Sequence, residues 1–413
     1  MEKFKKSFFT YIKYGLYFII GWLFIVPLSY LIPKKKNLFL FTGTNDGIFI
    51  DNIKYLFIHI CSLKEKEREF YFFTENKRTF QELKEKKLPV IFYPSLTAIL
   101  ILLRASTLIV DNYWWYRNMK YYLLYRSYKV QMWHALGIKA IGTDMLKVLS
   151  WPKRLFKKCI YILGGLYVNY DLLLHTSEFY IKNYFEGAIE FKKALVCGYP
   201  RNDCFFQEIN DLILLETDIR AIEKTKEAKK NGYKVILYGP TFSGSGRDPI
   251  MDRALNIERL QEFVKKYKIL FVFKFHHNPR HKYEIKESEN IIVYNNFKDM
   301  YPLLPLVDLL ISDYSSIHMD CLLIDKPCIF FPYDYEDYIR RNGELKFSYD
   351  WIAPGPKCNT QEELEEEIIK YLIEKKDDYK EKRKDLLEVV FKYKDGKSSE
   401  RMWNIIKEER MTP

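Results

Sequence analysis

Two of the seven histidines stand where a short hydrophobic run opens into a polar loop. His134 lies in WHALG, directly after the run KVQM. A histidine at the end of a strand can remove a proton from an attacking hydroxyl near neutral pH, and a purely structural histidine is an equal local alternative. His276 follows Lys274 in KFHHNP. If the strand persists, Lys274 and His276 share a face and His277 points the other way. A lysine and a histidine directed at one point suit a bridging or departing phosphate. His276, His277 and His281 also resemble a metal cluster at first sight, but no carboxylate completes a motif there.

The segment ISDYSSIHMD (311–320) ends a hydrophobic run at Asp313, and Ser315 and Ser316 come next. Two hydroxyls at a helix start, beside free N–H groups, form an anion site suited to a diphosphate. An ordinary helix cap gives the same pattern. Asp320 is placed to accept from a substrate hydroxyl or to hold the loop. GYPRND (198–203) puts Arg201 and Asp203 in a turn after a strand, where a guanidinium can clamp a phosphate or form a structural ion pair. GPTFSGSGRD (239–248), with Pro240 and Thr241, is glycine-rich, yet it is neither a Walker loop nor GxGxxG. That argues against P-loop ATPases and dinucleotide dehydrogenases.

These residues need elements to hold them, and the pattern supplies two series. NLFLFTG (37–43), EFYFFTEN (69–76), LPVIFY (88–93), STLIVDNYW (106–114), KVQMWHALG (129–137) and a run ending in HTSEFY (175–180) alternate with helical stretches. A second series opens at ALVCGYPRND (194–203) and continues through 234–242, 269–279, 290–296, 307–316 and 326–334. Hydrophobic runs that each end in a polar loop give the cadence of parallel sheets with covered faces, whose ligands sit at the strands' carboxyl ends. The expected fold is α/β, with two doubly wound Rossmann-like domains facing across a cleft. The expected boundaries are a membrane-associating segment 1–36, a first Rossmann-like domain 37–190, a second 191–385 and a C-terminal helix 386–413 returning to the first domain.

With 413 residues the chain has material for two cores. Its net charge of +12 favours polyanionic partners. No zinc finger, RNA-binding signature or long arginine tract is present, so no specific nucleic acid is expected. The seven scattered cysteines form no CxxC pair and read as buried thiols of a reducing compartment. Residues 14–32 carry no charge over 19 positions, with lysines on both flanks. That length just reaches across a bilayer. Tyrosines, Trp22 and Pro27 favour a helix lying in the cytoplasmic leaflet, with lysines on an anionic membrane surface. The alternatives are a single span and a buried core helix.

Taken in order, WHALGIKAIGTD (133–144), GYPRND (198–203), ILYGPTF (236–242), KFHHNP (274–279) and SDYSSIHMDCLLIDKPCIFFPYDYEDY (312–338) resemble the CDP-glycerol:poly(glycerophosphate) glycerophosphotransferases. These are the teichoic-acid primases and polymerases and related capsule enzymes. The resemblance implies a GT-B-like fold, His134 as acceptor-side base and His276 as a second essential histidine near the donor diphosphate. It also implies a donor held among Arg201, Asp203, Pro240, Thr241, Lys274, Asp313, Ser315 and Ser316, with Asp320 near the alditol. The donor would be CDP-glycerol or CDP-ribitol. The acceptor would be a lipid-linked or polymeric cell-envelope glycan at the cytoplasmic face of the cell membrane. No cofactor is required, and a divalent ion is allowed but not implied. Ala135, Leu136–Gly137, His277 and the SGSGRD stretch depart from the family pattern, so the donor chemistry is better supported than the acceptor. A nucleotide-sugar glycosyltransferase and a non-catalytic membrane scaffold remain as alternatives.

Overall fold

The computed structural model describes residues 13–146, 149–163, 168–241, 254–275 and 285–411. They form two compact units. The first takes the described residues up to His134, Ile141–Asp203 and those from Lys397 on; the second takes Ala135–Ala140 and Cys204–Gly396.

The first unit is built on seven strands: β1 Lys35–Thr42, β2 Glu69–Thr74, β3 Val90–Phe92, β4 Ala105–Val110, β5 Tyr128–Gln131, β6 Asn169–His175 and β7 Glu190–Val196. Their order is β3-β2-β1-β4-β5-β6-β7, and all pair in parallel. β4, ASTLIV, is buried at every position, as a strand covered on both faces must be. From β1 the chain goes to β2 on one side, and β4 returns on the other. The loops leaving β1 and β4 therefore diverge and open a crevice at the carboxyl end of the sheet.

The second unit repeats the device with five parallel strands, β8 Lys234–Tyr238, β9 Ile269–Phe273, β10 Ile291–Val293, β11 Leu309–Ser312 and β12 Cys328–Phe330. Their order β10-β9-β8-β11-β12 puts the reversal between β8 and β11. Helices Lys77–Glu85, Ile219–Lys230 and Ile257–Lys266 open on Asn76, Asp218 and Asn256, whose side chains accept a first-turn N–H. None of the six cysteines with described side chains forms a disulfide.

The structure corrects three boundaries. The run at 190–196 does not open the second series: β7 pairs with β6 over its whole length, because its register continues the first sheet, and the first unit extends to Asp203. Residues 135–140 belong to the second unit, where the Ile138 carbonyl accepts from the Lys346 amide at 2.8 Å. The tail divides after Gly396.

Three helices of the first unit bear on function. α1, Lys13–Leu31, is long and apolar enough to cross a membrane, with only 17% of its apolar window buried. Its packed side is Trp22, edge-on to Tyr121, Tyr122 and Tyr125. Gly21 leaves room for Tyr122, whose ring would lie 2.4 Å from a Cβ. Leu23, Phe24 and Leu31 are exposed, so α1 is not a core helix. α2, Asp51–Ser62, follows β1. α3, Trp151–Leu163, shows Trp151, Leu155 and Phe156 at the surface among exposed Lys153, Arg154, Lys157 and Lys158.

The last helix, Ser398–Met411, is nailed to the first unit by Trp403. That ring is fully buried, lies edge-on to Phe39 and Phe70 and donates to Glu65 at 3.0 Å. Trp403→Ala removes this payload and should destabilise the first unit by about 3–5 kcal/mol. Urea unfolding followed by amide exchange in β1 and β2 checks it, with exchange in β8 and β9 as the unaffected reference.

Candidate active site

At the crevice of the first unit, His134 sits three residues past β5 on a backbone held out of regular geometry. Trp133 has φ +59, the left-handed region that bulky residues rarely adopt. Two hydrogen bonds and a ring stack hold it there. Its N–H donates to Gln131 Oε1 at 2.8 Å, its carbonyl accepts from Asn52 Nδ2 at 2.8 Å, and its ring stacks on His134 at 24°. His134 Nδ1 lies 3.1 Å from the Asp111 carbonyl. A carbonyl can only accept, so Nδ1 carries the proton and Nε2 keeps its lone pair. The residue's surface stays exposed. The protein packed around it pulls the histidine pKa below its ordinary value, with Arg201 adding to the effect and Asp51 and the Asp111 carbonyl opposing it.

Arg201 is 2% exposed. Its Nη1 donates to Asp51 Oδ1 at 2.7 Å and to the His134 carbonyl, and its backbone N–H donates to Asn52 Oδ1 at 3.2 Å. Asp111 accepts from the Ile53 N–H at 3.0 Å. Burial first, then Asp51, holds the Asp111 carboxyl well above the usual carboxylate range. Asp203 accepts from the Ser398 and Ser399 N–H groups at 2.8 and 2.7 Å. It caps the last helix, each of its oxygens accepting one N–H. The structure places Asp203, expected to meet substrate, as a cap on the last helix, and Arg201 against the His134 loop.

In the second unit the reversal between β8 and β11 joins Thr241 to Asp313. The Thr241 N–H and Oγ1 both bond Asp313 Oδ1, at 2.9 and 2.6 Å. Asp313 also accepts from the Tyr314 and Ser315 amides. Two of the N–H groups expected to face an anion are thus closed on Asp313 itself. Burial raises the Asp313 pKa, while Thr241 and Lys139 resist. Tyr314 stacks on Tyr338 at 3.8 Å and donates to Asp334 at 3.0 Å. Ser315 and Ser316 are half-buried, and Ser316 makes no side-chain cap to α4, Ile317–Cys321. Asp320 accepts from the Tyr301 hydroxyl at 3.1 Å, which fits the loop-holding reading.

Lys274 lies just beyond β9, so the expected alternation with His276 ends before it. Its Nζ donates to the Asn296 carbonyl at 3.0 Å, and burial lowers its pKa to about 8. Pro240 is buried beside Thr241. His276, His277, His281 and the 243–248 stretch lie outside the described residues. Among the described residues no three His, Cys, Asp or Glu side chains are grouped to hold a metal.

Sequence reasoning missed several participants. Asp111 stands directly after β4, a signal available in the sequence, whereas Asp51 and Asn52 open α2 and carry no such mark. Lys139, six residues past the His134 motif's tryptophan, faces Asp313 electrostatically. His318 has Nδ1 at 2.8 Å from the Ser315 carbonyl and Nε2 at 2.7 Å from the Ile352 carbonyl. It ties the serine loop to the 349–352 turn.

Residues 24–408 match the family described as CDP-Glycerol:Poly(glycerophosphate) glycerophosphotransferase. A teichoic acid poly(ribitol-phosphate) polymerase of Bacillus spizizenii is 27% identical over 90% of this chain and 56% of its own length. A teichoic acid glycerol-phosphate primase of Bacillus subtilis is 28% identical over 75% of each chain. A structure of the wall teichoic acid polymerase TagF superposes with TM-score 0.72 at 18% identity, over 100% of this chain and 98% of that one. The chain thus spans about six-tenths of the full length of the first two polymerases it matches.

Thr241→Val leaves Asp313 without its hydroxyl donor and should cost the second unit about 1–3 kcal/mol, with Thr241→Ser restoring it. Chemical denaturation followed by a second-unit reporter such as amide exchange in β11 reads the difference.

Proposed function

The chain belongs to the CDP-glycerol:poly(glycerophosphate) glycerophosphotransferase family, and on that premise we propose that it transfers glycerol phosphate from CDP-glycerol to a hydroxyl of a lipid-linked or polymeric cell-envelope glycan, releasing CMP. The observation that carries this reading is the fixed tautomer of His134. With Nδ1–H anchored on the Asp111 carbonyl, Nε2 is left to take a proton from the acceptor hydroxyl. That oxygen attacks the phosphorus bearing the alditol. The bond from this phosphorus to the bridging oxygen breaks, and CMP departs with the electron pair.

Arg201 and Asp51 take part by holding the His134 backbone still, since a misplaced base loses most of its effect. On the donor side Thr241, Ser315, Ser316 and Lys274 are assigned to the diphosphate and its developing charge, with Pro240 and Asp313 shaping the loop and Asp320 supporting it. Lys274, though lowered by burial to about 8, is still mostly protonated at neutral pH and can meet a phosphate as a cation. His276 is proposed as the second histidine of this side, from its motif alone. The GT-B arrangement is likewise the reading that best suits two parallel-sheet units.

A second donor has its own support. Three of the relatives, covering about nine-tenths of this chain, are named ribitol-phosphate polymerases. CDP-ribitol is therefore the alternative substrate on the same residues. For location we propose the cytoplasmic membrane surface, supported by exposed α1 and by the basic, aromatic face of α3.

Purified protein with membranes carrying lipid-linked primer, offered CDP-glycerol and CDP-ribitol separately, should release CMP from one donor in an acceptor-dependent way. Silence with both, on a primer shown intact, overturns the reading. His134→Ala should lower kcat roughly 10²–10⁴-fold; unchanged turnover removes its role as base. Because the base must be neutral and its pKa is depressed, activity should be complete at neutral pH. It should fall only as pH drops through a value below the ordinary histidine range, and a pH–kcat profile shows where that limb lies.

A further inference from the structure

The opposite edge of the first sheet holds a site that the transfer reaction does not use. Lys34 and Lys36 lie at the start of β1, Lys129 at the start of β5 and Lys192 near the start of β7. Together with Arg126 and Arg410 they line a cavity of about 650 Å³, in which Asp171 is the only carboxylate among the described residues. His134 and Asp111 lie past the carboxyl ends of β5 and β4, at the other edge of the same sheet.

The charges in this cavity are poorly compensated. Lys192 takes one oxygen of Asp171 at 2.6 Å, and the Lys129 N–H takes the other at 2.8 Å. Among the described residues Lys34 Nζ reaches only the Ser127 hydroxyl, at 3.2 Å. Lys129 Nζ rests on the Tyr125 and Ser127 carbonyls. Arg126 donates to the Ser29 and Ile32 carbonyls, and Arg410 to Thr107 Oγ1 at 3.0 Å. Glu409, beside Arg410, pairs with Lys193 and also meets the Tyr128 hydroxyl. Burial, with Arg126 and Lys129 adding repulsion, pulls Lys34 down to about 7; burial brings Lys129 to about 8. Cations held together at this cost are relieved by an anion.

The cavity is continuous with α1. Tyr30, near the end of that helix, lines it, and Arg126 lies over the Tyr30 ring at 4.5 Å. The adjoining helix surface is apolar and open, with Leu31 81% exposed. A ligand that is anionic at one end and apolar along the rest fits both surfaces; a soluble phosphate or nucleotide uses only the first.

We propose that this cavity is a headgroup site for an anionic membrane phospholipid, its phosphate seated among Lys34, Arg126, Lys129 and Arg410 and its acyl chains lying along the exposed face of α1. The site turns a general attraction to anionic membranes into saturable, oriented docking, with the carboxyl edge of the sheet directed away from the bilayer. The inference rests on the membrane-surface part of the proposed function and not on the reaction, so turnover does not enter its test.

The test is co-flotation of the full chain with vesicles of phosphatidylcholine alone and of phosphatidylcholine with phosphatidylglycerol. Wild type should bind the mixed vesicles at least about tenfold more tightly. Lys34→Gln/Arg126→Gln should lose that gain while keeping the binding to phosphatidylcholine that α1 provides. Lys84→Gln/Lys86→Gln, of equal charge but at the end of another helix, should retain it. Equal loss in both double variants, or no preference for phosphatidylglycerol, overturns the site. A second measurement uses the exposed rim, where the fold is not at stake. Micellar dihexanoyl-phosphatidylglycerol should raise the Tm of wild type, and less that of Lys36→Gln/Lys192→Gln, whereas glycerol phosphate at the same concentration should not. Stabilisation by glycerol phosphate equal to that by the lipid would assign the cavity to a soluble phosphate ester instead.

Discussion

A guanidinium almost sealed from water has to be surrounded by acceptors, and Arg201 finds them on two other segments of the first unit. Asp51 comes from the start of α2 and the His134 carbonyl from the loop after β5. The cost of leaving such a charge unpaired is several kcal/mol, so the three segments are held together or the unit loosens. The chain passes between its units immediately after His134 and again after Asp203. It returns at Lys397, where Asp203 caps the next turn. One small group of polar contacts therefore fixes where the chain leaves and re-enters the first unit, and it also holds the backbone that presents the imidazole.

The second unit solves its corresponding problem with a carboxylate in place of a cation. Asp313 gathers the Thr241 hydroxyl and amide and the amides that follow it, which brings the ends of β8 and β11 to one point. Aromatic stacking of Tyr314 on Tyr338 and the two-sided contact of His318 stop the serine loop from drifting. In both units the site falls where the sheet order reverses, because only there do successive loops part. The first sheet carries His134 and Asp111 at its carboxyl edge and the cation-lined cavity beside the apolar helix at its amino edge.

Much of this was legible beforehand. Every hydrophobic run assigned to a strand contains one, since strands buried on both faces announce themselves locally. His134, Thr241, Asp313 and the serine pair were expected at strand ends, and they follow β5, β8 and β11. Lys274 was assigned to the strand when it lies past it, since the apolar run FVFKF gives no sign of where pairing stops. The strand at 190–196 was given to the wrong sheet for a related reason. Its pattern reads as a strand in either unit, and only pairing with β6 decides.

By itself, the sequence determined the alternation of strands and helices, the order of the motifs, the family they belong to and the apolar N-terminal helix. All of these reside in neighbouring residues. Tertiary structure alone decided that Asp203 caps a helix 195 residues away, that Arg201 is paired with Asp51 across 150 residues, and that lysines and arginines from residue 34 to residue 410 share one cavity. A charged side chain carries no local mark of its partner. Whether it meets substrate, a helix end or another cation is settled by which distant segment the packed core brings beside it.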